Sequence, residues 1–161
     1  MGKKDRGKHP ISRYEDRGAA KTPRSSFGNE NPKTPRGHVP DYSGTLPLWA
    51  FRIVDLGGPW CWTNMDGSVL GEVLERLKQF ESMTWLEIER GTGSHFVEDH
   101  SKLCKQARDR LVEIEQDDTE TLFSLRLAGR RRIWGIRDRG VLRFLWWDPE
   151  HEVYPSEKKH T

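Results

Sequence analysis

Thr121–Tyr154 reads TLFSLRLAGRRRIWGIRDRGVLRFLWWDPEHEVY, three apolar runs separated by two turns and ended by a third. Leu122–Leu127 carries a polar residue, Ser124 and Arg126, at every second step. Ala128-Gly129-Arg130 turns the chain, and Arg131–Arg137 then puts Trp134 and Ile136 on one side and Ile133 on the other. Asp138-Arg139-Gly140 turns it again, because glycine takes a positive φ without a Cβ penalty. Val141–Trp147 follows, with Leu142, Phe144 and Trp146 expected on one face. Asp148-Pro149 ends that strand, since proline fixes φ and cannot donate to a ladder, and Glu152-Val153-Tyr154 resumes an extended path. Period-two alternation bounded by Gly and Pro turns predicts a meander of short antiparallel strands.

Upstream of the meander the chain divides by composition. Residues 1–40 hold ten Lys/Arg against four Asp/Glu, whereas residues 41–161 hold 17 against 21. The overall charge of +2 therefore hides a basic arm on a mildly acidic domain. Residues 1–44 are rich in Pro, Gly, Ser and Lys/Arg and almost free of large aliphatic side chains. Such a segment buries too little surface to offset its ordering entropy, so a disordered basic tail is expected over 1–44 and a folded domain over 45–161. Lys21-Thr22-Pro23-Arg24 recurs as Lys33-Thr34-Pro35-Arg36. The tail reads either as a phosphate-contacting arm for nucleic acid or as a solubilising extension.

Cys61 and Cys104 are too few for a disulfide framework or a metal site, and no apolar run has the length of a signal peptide or membrane span. These features predict a cytoplasmic protein with no membrane partner, no metal and no cofactor.

Between tail and meander, Trp49, Phe51 and Ile53 alternate with Ala50, Arg52 and Val54, which predicts a first strand ending at Asp55-Leu56-Gly57-Gly58-Pro59. Trp60 and Trp62 in the following loop read as plugs for one end of a core or as a stacking platform for bases. Asp66-Gly67-Ser68 offers N-caps to a helix whose stripe is Leu70, Val73, Leu74, Leu77 and Phe80. Thr84-Trp85-Leu86-Glu87 has capping-box spacing for a short helical turn, which Gly91–His95 breaks. A second amphipathic helix is expected from about Glu98 to Glu115, with His100, Cys104, Ala107, Leu111 and Ile114 on one face. The order is β-α-α-β-β-β, an α+β plan with a small antiparallel sheet and two helices on one face.

That order, closing on His-x-x-Tyr, resembles the RelE/ParE superfamily of small bacterial toxins. The local likeness spans about Leu122–Tyr154, in Leu125-Arg126-Leu127, Arg131-Arg132-Ile133-Trp134 and His151-Glu152-Val153-Tyr154. The resemblance implies an endoribonuclease, an mRNA interferase acting on free or ribosome-bound RNA, restrained by an antitoxin protein in a toxin–antitoxin system.

Metal-independent RNA cleavage needs a base for the 2′-OH, an acid for the leaving 5′-oxygen and cations for the extra phosphate charge. Read so, His151, Tyr154 and Arg132 are the candidate catalytic residues, while Arg126, Arg131, His95 and Lys158 are candidates for holding nucleic acid. Arginine suits the phosphate because its planar fork meets two oxygens at once. Antiparallel pairing brings the end of the third meander strand beside the start of the second, so His151 should lie level with Arg131 and Arg132. Strand parity admits only one of these two to its face, and Arg132 is favoured. Two other readings fit the residues: a non-catalytic nucleic-acid- or protein-binding module, and an inhibitor of a protein target as in the ParE branch.

Overall fold

The structure, a computed structural model, describes residues 41–155. The basic tail expected over 1–44 therefore lies outside the described residues up to 40, as does Lys158. Asp41–Gly44, assigned to that tail by composition, belongs to the folded chain. The carbonyls of Ser43 and Thr45 accept the backbone N–H groups of Leu86 and Trp85 at 2.8 and 3.0 Å, satisfying donors that the start of a helix leaves open.

The class is α+β. Among the described residues, five strands, β1 (Leu48–Ala50), β2 (His95–Val97), β3 (Leu122–Ala128), β4 (Arg131–Asp138) and β5 (Val141–Asp148), form one sheet in the order β1-β5-β4-β3-β2. The expected meander is β3-β4-β5. The sheet is mixed, not wholly antiparallel, because β1 runs parallel to β5. The first strand is also shorter than the alternation from Trp49 to Val54 predicted. Past Ala50 the chain turns, with Val54 N–H donating to the Phe51 carbonyl, and then returns to β5 through Asp55 N–H on the Leu145 carbonyl. β2, on the opposite edge, lies in the segment read as a loop; its His95, Phe96 and Val97 pair with Ser124, Phe123 and Leu122.

Among the described residues, three helices cover the sheet: α1 (Gly67–Phe80), α2 (Trp85–Thr92) and α3 (Lys105–Glu113). Asp66 caps α1 through Ser68 and Val69, and Thr84 and Glu87 close the capping box that opens α2. The helix expected from Glu98 to Glu115 is interrupted. Asp99 caps a 3-10 turn at His100–Lys102, and Cys104 starts α3 afresh, its sulfur accepting from Ala107 N–H. Diversion of the Cys104 N–H to the Val153 carbonyl, at 2.9 Å, ties that start to the C-terminal segment.

The helices do not share one face as expected. α1 and α2 bury Val73, Leu77, Phe80, Trp85 and Ile88 on Phe123, Leu125, Ile133, Leu142, Phe144 and Trp147. α3 buries Ala107 and Leu111 on the reverse side with Leu122, Trp134, Leu145, Trp146 and Val153. Leu70 and Leu74, placed by periodicity in the core stripe, are 40 % and 52 % exposed. The tryptophans of the 55–62 loop straddle the edge of the sheet: Trp60 packs on Trp146 on the α3 side, and Trp62 stacks on Phe144 on the other. Of the two readings of that pair, the core plug describes the buried Trp60.

One irregularity sets the parity of β5. Trp134 pairs with Trp146, yet its neighbour Gly135 pairs with Phe144, so Leu145 is an extra residue. This bulge puts both Leu145 and Trp146 on the α3 side, where simple alternation expected Trp146 to join Leu142 and Phe144. Gly135 permits the close approach, since a Cβ there would run into the Arg143 carbonyl and the Leu142 side chain. Beyond the bulge Asp148 falls opposite Arg132, on the α3 side. Without the extra residue its carboxylate would point towards α1.

Candidate functional site

Past β5 the chain is held by one carboxylate. Asp148 is fully buried; its Oδ1 accepts from Glu152 N–H at 2.9 Å and its Oδ2 from Val153 N–H at 3.0 Å. The same Oδ2 accepts the indole N–H of Trp134 at 3.2 Å. The loop Pro149–Glu152 is thereby folded back over the sheet, with His151 at its apex in the left-handed region, φ 62°. Such a conformation costs a non-glycine residue about 1 kcal/mol or more and persists only where the surroundings fix it. Here the two N–H bonds to Asp148 immediately after His151 do so.

Arg132, opposite Asp148 on β4, is 8 % exposed. Its guanidinium donates to the carbonyls of Gly129 and Arg131 at 2.8 and 3.1 Å, which fixes it at the β3–β4 turn. Arg126 is its cross-strand partner on β3 and is exposed. The backbone N–H of Arg126 donates to the Ser94 hydroxyl at 2.9 Å, and its guanidinium lies over Gly93, 3.7 Å from where a Cβ would stand. His95 follows on β2; its Nδ1 meets the Gly93 carbonyl at 3.0 Å, so the neutral ring carries its proton there and leaves Nε2 as an acceptor. Tyr154 stands between, edge-on to His95 at 6.4 Å and tilted against Trp134 at 6.5 Å.

Arg126, Arg132, His95, His151 and Tyr154 thus occupy the α3-side face near the β3–β4 turn. Electrostatics ties them together. Burial holds the His151 imidazole below its ordinary value, and Arg132 adds to this; Asp148 opposes, and His95 and Arg126 each push further down. Burial also lowers Arg132, Arg126 lowers it further, and Asp148 works against both. The site is an arginine pair, one nearly buried and one open, beside an imidazole biased to the neutral form.

Two candidates lie elsewhere. Arg131 faces α1, paired with Glu72 across a separate groove. Adjacent strand residues point to opposite faces, so the arginine that shares the face of His151 is Arg132. Lys158 lies outside the described residues. Sequence reasoning overlooked Asp148 as more than a strand end; a lone glycine inside the β4 pattern was the available signal for the bulge that turns it inward.

Among the described residues, no group of three or more His, Cys, Asp or Glu is placed to hold a metal ion. Nor, among the same residues, is any helix long and apolar enough to cross a membrane. No family model matches the chain, and no curated protein or solved structure shows a significant match.

Proposed function

We propose that the domain is a metal-independent endoribonuclease, of the toxin-like mRNA interferase kind that its sequence resembles. The observation that carries the reading is the convergence of Arg126, Arg132, His151 and Tyr154 on one face, from three separate stretches of chain. The neutral His151 imidazole accepts the proton of the ribose 2′-OH. The 2′-oxygen attacks phosphorus, the bond to the 5′-oxygen breaks, and Tyr154 returns a proton to the leaving oxygen. Arg132, fixed at the β3–β4 turn, and the open Arg126 hold the phosphate and offset its growing charge. The products are a 2′,3′-cyclic phosphate and a 5′-hydroxyl.

The same resemblance supports RNA as the partner, free or on the ribosome, and a restraining antitoxin protein. Incubating the purified protein with RNA, with and without ribosomes and with chelator present, tests the reading. New 5′-hydroxyl ends should appear and fall about 10²–10⁴-fold in His151→Ala. RNA binding without cleavage under either condition would leave a non-catalytic binding module in its place.

A further inference from the structure

Beside the arginine pair, at the β2 edge, lies a groove of about 250 Å³ lined by His95, Phe96, Glu98, Asp99, Lys102 and Tyr154. We propose that it takes the nucleobase flanking the phosphate held by Arg126 and Arg132, and that Glu98 makes guanine the preferred base. The inference rests on the RNA-cleaving reading above and names what that site selects.

The groove is smaller than most drug-sized pockets and suits a single planar ring system. His95 and Tyr154 belong both to the groove and to the arginine face, so the chain of a bound strand passes from phosphate to base across these two rings. Unstacked bases in single strands are held this way, on aromatic faces with their Watson–Crick edges read by polar groups.

The polar groups here discriminate. Two carboxylates exclude a second phosphate and call for N–H donors. Asp99 is already engaged, with Oδ1 accepting from Ser101 N–H and Oγ and Oδ2 facing Lys102 at 3.9 Å. Glu98 is exposed and makes no side-chain hydrogen bond or ion pair among the described residues. Guanine offers two adjacent donors, N1–H and the N2 amine, which match the two oxygens of one carboxylate, and Lys102 supplies a donor for its O6. Adenine and cytosine offer one amine each beside an acceptor, and uracil a single N–H flanked by carbonyls.

Uncleavable 2′-fluoro tetranucleotides of uridine, carrying one guanine, inosine or adenine at each position in turn, test this by fluorescence anisotropy on the full chain. Guanine at one position should bind about 10-fold tighter than adenine there, with inosine, which lacks the N2 amine, between them. Glu98→Gln should bring the three within about twofold of one another. Equal affinities in the native protein, or a guanine preference that survives Glu98→Gln, would overturn the proposal. Failure of the nuclease reading shows separately, as uncut ribose RNA, and leaves the binding pattern to decide the base subsite.

Discussion

Asp148 accepts the indole N–H of Trp134 at 3.2 Å across the β4–β5 pair, just beyond the point where the extra Leu145 has turned β5 over. The bond joins a core residue of the sheet to the loop that presents His151. It makes Asp148 a positioning residue, since the same carboxylate holds the two N–H groups that follow His151.

Asp148→Ala should therefore orphan three buried or half-buried donors at once. Each unsatisfied group costs about 1–3 kcal/mol, so the urea midpoint should drop well below that of the native protein. Asp148→Asn keeps one acceptor oxygen and should fold, yet lose RNA cleavage because the His151 loop is released. A readout specific to positioning is the His151 ring proton signal, which should broaden or shift in Asp148→Asn. Native-like signal and native-like rate together would show that the loop is held by other means.

The titration of His151 gives a sign that can be checked. Burial, then Arg132, hold the folded imidazole below the ordinary 6.5. Between the folded value and 6.5 the unfolded chain binds more protons than the folded one. This group's contribution to stability therefore falls as pH drops through that window, and the acid limb of cleavage should lie below 6.5. NMR titration should place the midpoint below 6.5, and Arg126→Gln, which removes one of the charges pressing it down, should move it upward. A midpoint at or above 6.5 in the native protein would contradict the geometry described.

The meander, its turns at Gly129 and Gly140 and the caps at Asp66 and Thr84 followed from local chemistry, because each depends on neighbours only a few positions away. That His151 comes level with the start of β4 followed from antiparallel pairing. The face it takes also depends on the Leu145 bulge and the Asp148 bonds, which simple alternation does not show. The second helical layer was not expected. Leu122 with Phe123, and Trp146 with Trp147, are adjacent and all buried, which a strand allows only when both of its faces are covered. That adjacency was the signal for a helix on each side. The β2 pairing and the break before α3 depend on contacts with Ser124 and Val153, remote in sequence, and no local pattern announces them.

A second buried carboxylate should matter for stability and not for chemistry. Asp55 accepts from Arg110 through Nε and Nη2 at 2.8 and 2.7 Å, and from the Trp146 indole at 3.0 Å, tying the 55–62 loop to α3. Burial disfavours its charge, but Arg110, the Gly57 N–H and Trp146 outweigh this and hold it below the usual 3.8. Its contribution is then present above 3.8 and lost as pH falls through the lower folded value. Asp55→Ala should cost about 1–3 kcal/mol, because the buried Trp146 indole loses its acceptor and Arg110 is left with Glu113 alone. Asp55→Ala with Arg110→Met should recover part of that loss, and denaturant melts of the two variants decide it. A single variant as stable as the native protein would mean that the pair does not anchor the loop.

Neighbouring arginines on one strand provide the sharpest contrast. Arg131 and Arg132 have the same chemistry and adjacent positions, but β4 sends them to opposite faces. Arg131 pairs with Glu72 at the surface, where both side chains remain substantially exposed, at 37 % and 62 %. Such a pair is worth about 0–1 kcal/mol, so Arg131→Gln should leave stability within about 1 kcal/mol of native and RNA cleavage within about twofold. Arg132 is nearly buried, anchored to the Gly129 and Arg131 carbonyls and set beside His151. Arg132→Gln should lower cleavage by about 10²–10³-fold, the size of loss seen when one preorganised transition-state donor is removed. Arg132→Lys should restore only part of it, since a point charge cannot span two phosphate oxygens. The folded state of each variant is checked by its thermal melt before rates are compared. Equal losses at Arg131 and Arg132 would show that net charge at the turn, and not the face each residue occupies, supports the activity.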